Sequence, residues 1–156
     1  MTSERMGFIA FEPRDGGFES FLSMEGLLSS DGDPELVLQE AARLYEAATG
    51  RMRSLLAEIE DHRAHRRLIP ARKVWQLGNA VFGLTEELAR LSLRLNGVYA
   101  HLVRDLGVKR KWLEKAVILR RYVQAEEIIP ESLSWGRCEK GTRRAAEKLS
   151  KGLPLG

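Results

Sequence analysis

The sequence predicts an all-α fold, an antiparallel helical bundle, and three observations predict it. Leu, Ala, Glu and Arg dominate the chain, and these are strong helix formers. Beyond residue 33, apolar residues recur at three- and four-residue spacing. Asp33-Pro34, Pro70, Asn96-Gly97, Gly107 and Pro130 punctuate these stretches with helix-starting and helix-stopping chemistry. At 156 residues and 44% hydrophobic, the chain has single-domain size. A chain of that length buries about two-thirds of its unfolded surface, so it needs neither a disulfide nor a metal to fold. Its one cysteine, Cys138, has no internal partner, which fits a reducing cytoplasm. Met1–Gly7 carry both signs of charge and lead into no long apolar run, so neither a signal peptide nor a membrane span is expected.

Residues 1–33 form an acidic, Phe-rich N-terminal arm, with seven acidic side chains against two basic ones. The turn-rich stretch Glu12–Gly17 separates two short apolar segments, so the arm reads equally as a hairpin or as an irregular segment with a short helix near 18–28. Four of the chain's five Phe residues lie here: Phe8, Phe11, Phe18 and Phe21. Aromatic side chains in an acidic arm suit docking to a protein partner. The single helical domain, 34–156, begins with Asp33 as cap, Pro34 at the first helical position and Glu35 at the positive end of the helix dipole. A first helix runs from Pro34 to about His65, with Gly50 placed to bend or break it. Pro70 opens a second helix, striped by Val74, Trp75, Leu77, Val81, Leu84, Leu88, Leu91 and Leu95 and ended by Asn96-Gly97. Short helices follow at Tyr99–Leu106, Lys109–Val123 and Thr142–Leu149, with a helical turn at Glu131–Trp135.

The segment 99–123 has the pattern of a helix–turn–helix. Leu102, Val103 and Leu106 form the apolar face of its first helix. Gly107 supplies the left-handed turn, and Val108 plugs the corner. Leu113, Ala116 and Val117 pack the second helix back onto the first. The segment is also the most basic part of the chain: residues 98–123 hold seven cations and two acids. Lys109, Arg110 and Lys111 stand at the N-terminus of the second helix, with Lys115 one turn on. Recognition helices place such side chains in the major groove or on phosphates. Three cations at a helix N-terminus oppose the helix dipole, and a bound polyanion would offset that cost. Arg104, Arg120 and Arg121 extend the basic surface toward phosphates. Arg110 is the candidate for a base contact, because Arg pairs bidentately with guanine.

Other constellations carry less. His62 and His65 lie three apart on a helix but lack a third strong ligand besides Asp61, so no metal is expected. His101 and Asp105 form an i, i+4 pair with no nucleophile beside it. Cys138 has no partner base, and no glycine-rich phosphate loop is present. Any of the three Trp side chains could stack on bases, but Trp75 reads as core and Trp135 as packing for the C-terminal segment, and Trp112 beside the basic cluster is left open between the two roles. No acid, base, nucleophile and electrophile converge, so catalysis is not expected, nor is any cofactor.

Val74-Trp75-Gln76-Leu77-Gly78, His101–Leu106, Trp112–Tyr122 and Leu133-Ser134-Trp135 follow one another in the order and rough spacing of another family's motifs. From Ile69 to Trp135 the chain resembles the N-terminal helical domain of YhcG-type nucleases of the PD-(D/E)XK group. Those proteins show a Trp-x-x-Gly step, a Leu-x-x-Asp-Leu segment, a helix ending in aromatic residues, and a Leu-Ser-Trp step. The resemblance implies a DNA-associated helical module linked with prokaryotic defence or mobile elements. The chain departs from that family in lacking an Asp…Glu-x-Lys cluster, and a nuclease domain is not expected within its 156 residues. The expected function is therefore non-enzymatic nucleic-acid binding, duplex DNA ahead of RNA, through the basic helix. The alternative is a helical scaffold or small subunit of a larger nucleoprotein complex, docked through the N-terminal arm.

Overall fold

The computed structural model describes residues 22–23 and 34–156, apart from Ser92. The candidate docking residues Phe8, Phe11, Phe18 and Phe21 lie outside the described residues, as does the Asp33 cap. The architecture is an all-α bundle. Helix α1 spans Pro34–Ala64, α2 Ala71–Arg90, α3 Val98–Leu106, α4 Arg110–Tyr122, α5 Gly136–Glu139 and α6 Thr142–Ser150. One 3-10 turn, Glu126–Ile128, lies between α4 and α5. A minimal antiparallel pairing joins β1, Leu22–Ser23, to β2, Arg94–Leu95, with Leu22 opposite Leu95. No helix among the described residues is long and apolar enough to cross a membrane.

Helix α1 runs through Gly50 without a break. Its buried positions, Ala41, Tyr45, Ala48, Met52 and Ile59, repeat at helical spacing and hold one face against the core. The helix ends in a tight turn: Arg66 takes φ 56, and the Arg67 amide donates to the His62 carbonyl at 2.8 Å. This is a Schellman-type ending in which an arginine stands where glycine is usual. Helix α2 then returns antiparallel along α1, with Lys73 ion-paired to Glu58.

The second helix is shorter than its apolar stripe suggests. It ends at Arg90, and the Leu93 amide donates to the Leu88 carbonyl at 2.9 Å. Leu91, Leu93 and Leu95 alternate in sequence, which is the period of a strand and not of a helix. Leu93 and Leu95 are buried, and Leu95 belongs to β2. Asn96-Gly97 therefore leads into α3 and does not close α2.

Helix α4 is the centre of the bundle, packed on α2, α3 and α6. Where it crosses α2, the two backbones approach so closely that a Cβ on Gly78 would overlap the carbonyl of Ala116. The Trp-x-x-Gly step thus has a physical basis. Gly78 permits the crossing, and three residues earlier the indole of Trp75 donates to the Val123 carbonyl at 2.7 Å, closing the far end of α4. The C-terminal segment is stitched to the start of α2. The Ala71 amide donates to the Leu133 carbonyl at 2.9 Å, and the Trp135 amide donates to the Ile69 carbonyl at 2.6 Å. Trp135, Cys138 and Leu149 complete the core at that end.

Candidate functional site

The α3–α4 corner has the predicted local form. Gly107 takes φ 69, and its amide donates to the Val103 carbonyl. Leu102, Leu113, Ala116 and Val117 are buried, with Val103, Leu106 and Val108 half-buried around them. At about 100° per residue, the apolar positions of α4 fill one side of the helix. Arg110, Lys111, Glu114, Lys115, Ile118 and Arg121 occupy the other. Arg110, Lys111 and Arg121 are exposed. The first turn of α4 contains no acidic residue, and Lys109 at the N-cap makes no side-chain capping bond. Each exposed cation at that end opposes the helix dipole by about 0.3–1 kcal/mol. An anion placed there reverses the sign of the interaction.

The seven candidate residues divide into four groups. Lys109, Lys111 and Lys115 turn toward α1 and line a groove. Arg110 forms an ion pair with Glu114 at 2.9 Å and covers the ring of Tyr99 at 5.4 Å, while Arg121 is exposed. Arg104 contacts Asp105 and His101 at 3.1 and 3.2 Å. Arg120 does not belong to the exposed basic sector. Its Nε donates to Asn79 Oδ1 at 2.8 Å, and its guanidinium lies 4.4 Å from the ring centre of Phe82 and 5.6 Å from that of Trp75. An arginine placed on two aromatic rings of α2 is part of the α2–α4 packing.

Behind the corner, the pair His101–Asp105 is part of a larger cluster. Tyr45 of α1 donates its hydroxyl to Asp105 Oδ2. His101 is buried, stands 3.7 Å from the same carboxylate and meets the Tyr45 ring at 5.3 Å. Burial, followed by the hydrogen bond to Asp105, pushes the Tyr45 hydroxyl well above its ordinary range. Burial also pushes the Asp105 carboxyl up, but donation from Tyr45 and Arg104 and the charges of His101 and Arg104 outweigh it and hold the group low. The cluster locks α3 to α1 and so fixes the corner that aims α4.

The groove, of about 700 Å3, lies between α1 and the α3–α4 corner. Arg53, Leu56, Glu60 and Arg63 of α1 form one wall, and Lys109, Lys111, Trp112 and Lys115 form the other. Trp135 and Glu139 contribute from the C-terminal segment. Five cations thus face two carboxylates across an apolar floor. Trp112 and Trp135 meet at 5.8 Å with a 30° tilt, and Arg63 stands 5.8 Å from the Trp112 ring centre. Arg53 and Arg63 were not among the candidates read from sequence. The signal was present, because positions 53, 56, 60 and 63 are spaced as one helical stripe. What a single sequence conceals is that this stripe faces α4.

The Nδ1–H groups of His62 and His65 donate to carbonyls of α1, those of Glu58 and Asp61, both at 2.9 Å. No group of three or more metal-ligating side chains gathers among the described residues. Cys138 is buried, and burial pushes its thiol up, although Arg137 pulls it the other way. In comparisons with protein families, with curated proteins and with solved structures, nothing matches this chain.

Proposed function

We propose that this protein binds nucleic acid, duplex DNA in the first place, through the exposed sector of α4 and the turn before it. One observation carries the reading. Arg110 and Arg121 stand on the solvent side of a helix whose other side is core, Lys109, Lys111 and Lys115 border the open groove beside them, and Glu114 is the one acid among them. A half-buried helix presenting its N-terminal cations at a tight corner is the arrangement by which helix–turn–helix proteins engage the major groove and its phosphates. The resemblance of residues 69–135 to the helical domain of YhcG-type nucleases supports a DNA-associated role. The exposed arginines and lysines supply affinity through counterion release, and Arg110 is the side chain best placed to read a base edge.

Fluorescence anisotropy of the full chain on duplex DNA, single-stranded DNA and RNA across a salt series tests the proposal. Binding is expected to weaken steeply with salt. In a Lys109→Ala, Arg110→Ala, Lys111→Ala variant the slope of log K against log salt is expected to shrink by about 0.9 for each duplex phosphate that is no longer neutralised. Circular dichroism establishes that the variant keeps its helices. Binding indifferent to salt, or a folded variant that binds like the wild type, would sink the proposal.

A further inference from the structure

We infer that the groove between α1 and the α3–α4 corner takes up one unpaired nucleotide, its base slotted between the guanidinium of Arg63 and the indole of Trp112. This inference rests on the nucleic-acid reading of α4. The first observation is a distance. Arg63 stands 5.8 Å from the Trp112 ring centre. A planar base sandwiched between two planar groups needs about 3.5 Å on each side, so Arg63 has to yield by at least about 1 Å. Its side chain is 51% exposed and held by a surface pair with Glu60, so it is free to yield. The second observation is the surroundings. Lys109, Lys111 and Lys115 border the slot, where they can meet the phosphates on either side of the nucleotide.

The third observation is independent of charge. Trp135, 2% exposed, lines the groove beside Trp112, and its Nε1–H is enclosed without a hydrogen-bond partner. A buried indole donor normally finds an acceptor. That enclosed donor is not open to the groove, so Trp135 serves the slot through its apolar ring beside Trp112 and not through a hydrogen bond. A base inside a duplex has both faces covered by its neighbours, so the slot selects nucleotides that are extruded, overhanging or single-stranded.

The test compares three probes with the full-length protein at fixed salt: a blunt duplex, the same duplex with a short single-stranded overhang, and that overhang with abasic sites. The wild type is expected to bind the overhang about tenfold more tightly than its abasic counterpart, the size of one base stacked on an aromatic ring. Trp112→Leu, with its helicity checked by circular dichroism, removes the stacking ring and is expected to bind the two alike, while Arg63→Lys keeps the charge, removes the second plane and is expected to lose part of the preference. If the wild type binds overhang and abasic overhang equally, the inference is overturned while the duplex reading stands. A preference that stays at its full wild-type size in a folded Trp112→Leu also overturns it, because the stack then lies elsewhere. If no probe binds at all, both readings fall together.

Discussion

At Gly78 a single hydrogen atom is all that the α2–α4 crossing accommodates. Gly78→Ala adds a methyl group into the carbonyl of Ala116, a backbone atom that cannot rotate away. The loss expected in urea unfolding is about 3 kcal/mol, the upper end for an overpacked core. Gly50 and Gly83 sit in helix interiors with open space around the position of a Cβ. Alanine at either is expected to raise stability by about 0.5–1 kcal/mol, since only the helix propensity changes. The same substitution therefore has opposite signs at sites that look alike in the sequence.

Tyr45 and Asp105 set both pH edges of the cluster behind the corner. The carboxyl of Asp105 is held low, so its contribution is complete above its unfolded value near ~3.9 and is lost as acid drives the pH through the lower folded value. The hydroxyl of Tyr45 is held high, so the fold favours its neutral form. That contribution is complete below about pH 10 and is lost as the pH rises further. Tyr45→Phe is expected to cost about 1.5–3 kcal/mol at neutral pH, the range for a hydrogen bond to a charged group. It should also flatten the stability profile at both ends, which thermal melts from pH 2 to 11 would reveal. A variant whose profile kept both limbs unchanged would refute the assignment.

Among the elements, α4 has two sides with two tasks, and the arginines of its last turn separate them. Arg120→Ala removes a guanidinium from Phe82 and Trp75 and is expected to lower stability by about 0.5–2 kcal/mol, with little change in the salt dependence of nucleic-acid binding. Arg121→Ala is expected to do the reverse. Melting temperature and salt slope measured on the same two proteins decide this. The two residues are adjacent in the sequence, where both read as basic surface; only the angular position on the helix, fixed by the crossing at Gly78, separates them. The helices themselves were largely legible, because the 3.6-residue period and the Pro34, Pro70 and Gly107 signals agree with one another. The end of α2 was not, because Leu88, Leu91 and Leu95 continue a helical stripe while Leu91, Leu93 and Leu95 also satisfy a strand. Burial of Leu93 decides for the strand. At Gly50 the propensity cost was legible, but packing on both sides of the glycine overrides it. The groove was legible only in halves. The basic turn at 109–111 stands out in the sequence, whereas Arg53, Arg63 and Trp135 acquire meaning only once α1 and the C-terminal segment have been brought against α4.

Across the whole molecule, the candidate site depends on chain segments far apart in sequence. Trp135 reaches the groove because the strand-like contacts of residues 133–135 with 69–71 hold it there, and the four-residue helix α5 follows directly. Such a short helix contributes little stability of its own and relies on its neighbours. Its thiol, Cys138, is fully buried, and it is the chain's one cysteine. That makes the protein its own reporter of local opening. A thiol reagent should modify Cys138 at its rate on an exposed thiol multiplied by the fraction of time that α5 is detached, which gives the free energy of that opening. If the C-terminal segment opens before the rest of the bundle, the labelling free energy will fall below that of global urea unfolding. A nucleotide seated against Trp112 and Trp135 would then slow the labelling by a factor that grows with its concentration, so that occupancy of the groove can be timed at an atom the ligand never touches.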